Sequence, residues 1–132
     1  TIDNKIVAEI KNGLLVLLGI EDADDVTDID WLSGKIARLR IFNDEKGVMN
    51  NSVADIKGDV IVVSQFTLHA STKKGNRPSY INALNGDKAI VLYDEFNKKL
   101  KEKNVKVETG IFGAYMQVEL INDGPITIML EK

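Results

Sequence analysis

Val60-Ile61-Val62-Val63-Ser64-Gln65-Phe66-Thr67-Leu68 opens on four aliphatic residues and then turns polar. Such a run reads as a strand buried in its first half. The Ser-Gln pair directly after it marks the C-terminal end of the strand, where α/β sheets commonly place ligands. A strand emerging into solvent, with Thr67 suited by its β propensity, accounts for the same residues.

Working upstream, Leu14 to Ile20 is a second apolar run and reads as a strand covered on both faces. Asp3-Asn4, between Thr1-Ile2 and Lys5 to Ile10, is a two-residue hairpin signal. Between the apolar runs, Val26, Ile29, Leu32, Ile36 and Leu39 recur at intervals of three and four, which predicts a helix over 24–40. Asp24, Asp25 and Asp28 crowd its start and Lys35, Arg38 and Arg40 its end, as the helix dipole favours. Residues 43–58 are polar and turn-rich. Downstream lies a basic loop over 70–79. A second helix follows over about 85–103, with Ala89, Leu92, Tyr93, Phe96 and Leu100 on one face and Asn85 or Asp87 as N-cap. Three strands close the chain, at Val105–Thr109, Tyr115–Ile121 and Pro125–Leu130. The predicted order is β-β-β-α-β-α-β-β-β over residues 1–132, a single α/β domain with a curved mixed sheet and two helices.

Composition narrows the chemistry. The 132 residues include no cysteine, which removes thiolate nucleophiles and cysteine-ligated metals together. The single histidine, His69, excludes two-histidine metal sites within one chain. No metal and no cofactor are expected. Seventeen Lys and Arg against 20 Asp and Glu give a net charge of −3, so contact with nucleic acid requires a local patch. The apolar run Leu14–Leu18 is far short of the roughly 20 residues that span a bilayer. No export signal is visible, and the cytoplasm is the expected compartment.

Four further segments draw attention. Asn122-Asp123-Gly124-Pro125 reads as a hairpin turn, or as a rigid backbone element. Lys73-Lys74-Gly75-Asn76-Arg77-Pro78-Ser79 offers three cations to phosphates, though a solvated loop has the same composition. His69 invites assignment as a base, yet no sequence-adjacent carboxylate is placed to orient it, and it reads as a bystander. Phe112-Gly113-Ala114 would let a flat ring approach the backbone, and a bend explains it as well. Trp31 lies between core positions of the first helix and reads as packing.

Taken together, these segments resemble the D-aminoacyl-tRNA deacylase family. Ser64-Gln65-Phe66-Thr67-Leu68 is similar to its first signature, and Asn122-Asp123-Gly124-Pro125-Ile126-Thr127 to its second. Gly13 to Gly19, Arg40-Ile41-Phe42, Lys73 to Ser79 and Gly110 to Met116 resemble the family in order and spacing. The family's first strand, with its Ile-Gln-Arg segment, has no counterpart before Thr1, and the sequence is expected to be a piece of a longer gene product.

The resemblance implies a D-aminoacyl-tRNA deacylase-like fold. It implies hydrolysis of the ester of D-aminoacyl-tRNA, and of glycyl-tRNA mischarged on tRNA-Ala, with rejection of L-aminoacyl-tRNA. Ser64, Gln65, Phe66 and Thr67 would then wall the pocket for the 3′-terminal adenosine and the ester. The backbone N–H groups of Phe66 and Thr67 would face the reacting carbonyl. Gly124 and Pro125, with Asn122 and Thr127, would form a Gly-cisPro element inserted into the partner subunit's site, so the partners are the 3′ end of tRNA and a second copy of the chain. Lys73, Lys74, Arg77, Phe112, Gly113, Ala114 and Met116 would contact the tRNA. A Ser-His-Asp triad finds poor support in this composition, whereas backbone donors assisted by the substrate's ribose 2′-OH ask little of side chains. Thr67 as nucleophile is the other mechanism open to the family. The rival from another class is a non-catalytic RNA-binding module on the same scaffold, and a small-molecule esterase is a further one.

Overall fold

The computed structural model describes all residues from Thr1 to Lys132. The expected class holds: an α/β fold with two helices and both parallel and antiparallel pairing. Strands β1 (Gly13–Leu18), β4 (Asp59–Ser64) and β5 (Lys106–Thr109) form a parallel sheet in the order β1-β4-β5. Leu18 pairs with Ser64, and Val62 with Thr109, so the C-terminal ends of all three strands lie along one edge. Gly13 starts β1 because a Cβ there would collide with the Asp59 carbonyl of β4.

Helix α1 (Val26–Arg38) connects the first two of these strands by way of the short hairpin β2 (Phe42–Asn43) and β3 (Met49–Asn51). Asp25 caps α1: its carboxylate accepts from Thr27 N and Asp28 N, while Asp28 accepts from Asp25 N at 3.0 Å. Helix α2 (Gly86–Lys101) leads from β4 to β5, and Asn85 caps it by accepting from Asp87 N at 3.0 Å. The two helices pack on each other and, through Ile29, Ile36, Tyr93, Phe96 and Leu100, on Val60 and Val62 of β4. The Tyr93 hydroxyl donates to the Val62 carbonyl at 2.9 Å, and burial pushes the phenol's pKa up. No helix is long and apolar enough to cross a membrane.

Several expected strands take another form. Leu14–Ile20 is not covered on both faces: β1 is an edge strand, and Leu17 on its outer face is 44% exposed. The expected strand over Val60–Leu68 ends at Ser64, and Phe66–His69 winds into a 3₁₀ turn instead. The Asp3-Asn4 turn exists, with both residues in the left-handed region and two hydrogen bonds between Ile2 and Lys5, but 5–10 joins no ladder. Tyr115–Ile121 and Pro125–Leu130 likewise run outside any ladder. An extended segment becomes a strand only beside a neighbour, and within this chain Gln117 finds only Thr1, with which it exchanges two bonds. The order β-β-β-α-β-α-β-β-β is thus reduced to five hydrogen-bonded strands.

Candidate active site at the C-terminal edge of the parallel sheet

Ser64 is the last residue of the central strand, and the chain turns there because Gln65 N donates back to the Leu18 carbonyl of β1 at 2.8 Å. The 3₁₀ turn follows at once. Its first N–H groups, those of Phe66 and Thr67, find no acceptor within the chain, and the Gln65 side chain does not cap them. That amide donates instead to Thr67 Oγ1. Phe66 stands 55% exposed, its ring edge-to-face with Tyr80 at a centroid distance of 5.0 Å. Two unpaired donors and an open aromatic ring therefore sit at the sheet edge.

The segment after β5 reaches the same edge. Gly110 N donates to the Val62 carbonyl at 3.2 Å, two residues before Ser64. A Cβ on Gly110 would meet the Met116 sulfur at 2.5 Å, so the thioether lies directly on the backbone. Phe112 is not free for a ligand on both sides: it packs on Tyr93 at 5.6 Å. Gly113, at φ +77°, turns the chain, and Ala114 N closes the turn on the Ile111 carbonyl. A groove of about 730 Å³ between α2 and residues 109–112 is lined by Tyr93, Asn97, Lys101 and Phe112. None of Ser64–Thr67 lines it.

The basic loop projects from the turn. Ser71 and Ser79 exchange hydrogen bonds of 2.8 and 2.9 Å at its neck, and residues 72–80 are exposed. Lys73, Lys74 and Arg77 enter no ion pair, unlike Lys98, Lys99, Lys106 and Lys132. The Asn122–Thr127 turn stands apart, with exposed residues and hydrogen bonds confined to itself. Asn122 Nδ2 donates to Thr127 Oγ1 at 2.9 Å, Ile126 N donates to Asn122 Oδ1 at 3.3 Å, and the Gly124–Pro125 peptide is cis.

Two features escape a reading of the sequence. Glu21, beyond the end of β1, brings Oε2 within 3.9 Å of His69 Nδ1, so the histidine does face a carboxylate, at the edge of ion-pair range. No local pattern links residues so far apart. Tyr80 joins Phe66, and an aromatic directly after a basic loop is the signal that would have found it. Trp31 is not core: it is 39% exposed, with Lys35 Nζ 5.8 Å from its ring centroid.

Known proteins are similar to this chain over its whole length. The sequence profile of the family described as D-Tyr-tRNA(Tyr) deacylase matches residues 1–131. The chain is 62% identical to a D-aminoacyl-tRNA deacylase of Flavobacterium johnsoniae, over 100% of this chain and 89% of the relative. It is 55% identical to one from Dechloromonas aromatica, over 99% and 88%. Among solved structures, one described as c-Myc DNA Unwinding Element Binding Protein superposes with a TM-score of 0.93 at 38% identity, covering 100% of this chain and 90% of that one. A probable eukaryotic D-amino acid tRNA deacylase shares the fold, with a TM-score of 0.65 at 18% identity over 78% of this chain and 76% of that one. On the family match and on identity across its whole length, the chain belongs to the D-Tyr-tRNA(Tyr) deacylase family.

Proposed function

We propose that the chain hydrolyses the ester joining a D-amino acid to the 3′ end of tRNA, releasing the free amino acid and tRNA. The observation that carries this reading is the pair of unpaired N–H groups at Phe66 and Thr67, at the end of the central strand. Preorganised backbone donors stabilise the negative oxygen that develops when water adds to an ester carbonyl. The hydrolytic water then needs a proton acceptor and the departing 3′-oxygen a proton. The ribose 2′-OH beside that oxygen is placed to relay it. Thr67 is given no nucleophilic role in this reading, because its Oγ1 is hydrogen-bonded to the Gln65 amide, which is no base.

Chirality is read by exclusion in this proposal. The Gly124–Pro125 carbonyls form a wall that an L side chain would strike, whereas D substrates and glycine, including glycyl-tRNA of tRNA-Ala, pass. The wall serves the partner's Ser64–Thr67 in a homodimer. Support comes from the open apolar edge that bears the turn: Tyr115 is 88%, Ile121 94% and Met129 72% exposed. Lys73, Lys74 and Arg77 hold tRNA phosphates, with Phe112–Ala114 and Met116 beside the terminal nucleoside. A substrate of this class places the work in the cytoplasm.

The test incubates the protein with D-Tyr-tRNA, L-Tyr-tRNA, glycyl-tRNA of tRNA-Ala and a simple activated ester. Release of D-Tyr and glycine, with L-Tyr-tRNA left intact, is expected. Binding of all three tRNAs without hydrolysis would make the chain an RNA-binding module, and cleavage of the activated ester alone a small-molecule esterase.

A further inference from the structure

We infer that Tyr80 is a stacking platform for the base of the penultimate nucleotide of the tRNA 3′ end. This rests on the deacylase reading and extends it one nucleotide inward from the ester.

The Tyr80 ring is 38% exposed, its hydroxyl has no partner in the chain, and its one aromatic neighbour is Phe66 in the reactive turn. The two rings meet at 71°, edge to face, so the pair covers at most one face of the Tyr80 ring and leaves the other open. The backbone around Tyr80 is pinned on both sides. Ser79 is bridged to Ser71, and the Tyr80 carbonyl accepts from Ala83 N at 3.0 Å. Ala83 in turn bridges Glu21 beyond the end of β1. An exposed ring on a fixed backbone presents apolar area at little cost in conformational freedom. Position then selects the ligand. Tyr80 lies between Phe66, where the terminal adenosine and ester belong, and the neck of the loop that carries the unpaired cations Lys73, Lys74 and Arg77. A strand whose terminal nucleoside occupies the turn and whose phosphates run to those cations brings its next base over this ring. Aromatic platforms interleaved with free cations are how single-stranded nucleic acid is gripped.

The experiment compares the native chain, Tyr80→Phe and Tyr80→Ala on D-Tyr-tRNA and on D-tyrosyl-adenosine, the ester of the terminal nucleoside alone. Tyr80→Ala is expected to reduce the preference for tRNA over the adenosine ester by roughly tenfold, mainly through KM, as loss of one base–aromatic stack implies. Tyr80→Phe is expected to keep that preference. An equal loss on both substrates would overturn the inference, since Tyr80 would then merely shape the turn at Phe66. No loss on either would overturn it too. A binding arm is independent of turnover. The native chain should hold a short RNA ending in CCA roughly tenfold more tightly than one abasic at the penultimate position, and Tyr80→Ala should not distinguish them. If the native chain hydrolyses neither ester, the deacylase reading falls, and this arm alone decides the stacking role: equal binding of the two RNAs by the native chain would end it.

Discussion

Gln65 donates its side-chain amide to Thr67 Oγ1, and an amide cannot take up the hydroxyl's proton. A hydroxyl held by a donor, with no basic atom in reach, is a weak nucleophile. Thr67→Ala is therefore expected to retain D-Tyr-tRNA hydrolysis within about tenfold, because the peptide donors survive the change. Complete loss in a folded variant, measured by single-turnover deacylation, would return the nucleophile to Thr67. Asn122 plays a different part. It staples its turn through Thr127 Oγ1 and Ile126 N, and the wall proposed above, which works by collision, must not yield. Asn122→Ala is expected to lower the D-over-L ratio on Tyr-tRNA by on the order of tenfold, the worth of one or two such bonds. An unchanged ratio would show that the staple is idle. Ser64–Thr67, the basic loop and the Asn122–Thr127 turn were legible because each is a short contiguous run. The Glu21–His69 approach and the Phe66–Tyr80 pair were not, because each is made by the fold between segments distant in sequence.

Both helices were legible from their periodicity and their acidic starts. The cap of α1 makes a measurable contribution. Asp25→Ala removes the acceptor for Thr27 N and Asp28 N and is expected to cost about 1 kcal/mol in denaturant unfolding. Asp28 adds a dependence on acidity. The Asp25 N–H first, then Lys132 with its Nζ at 3.3 Å, hold the Asp28 carboxyl below the usual 3.8. A lowered folded value means stability that is present above 3.8 and lost as pH falls through the folded value. Asp28→Asn should therefore be the less stable protein at neutral pH, with the gap closing below pH 3.8, as followed by circular dichroism. Strands were legible only where the pattern had a partner to meet. The alternation in Tyr115–Ile121 and Pro125–Leu130 is real, but alternation specifies faces, not neighbours. The 3₁₀ turn at Phe66 was hidden because its residues continue a strand-like run in composition.

At the scale of the whole molecule, the C-terminal third leaves large apolar side chains uncovered, from Tyr115 through Ile121 to Ile128 and Met129. A monomer rarely exposes so continuous an edge. The expected outcome is a dimer in sedimentation, which Ile128→Lys splits while helical content is kept, with D-Tyr-tRNA hydrolysis lost in the monomer. Hydrolysis surviving in that monomer would separate the reaction from assembly. The two bare amides at the head of the 3₁₀ turn have one more consequence. Nineteen of the twenty encoded amino acids present the same main-chain hydrogen at those sites, so mutation can reshape the cleft without erasing its polarity. Proline alone deletes it. On the proposed function, chemistry written into the peptide unit is inherited with the topology and leaves the identity of those two side chains free to vary.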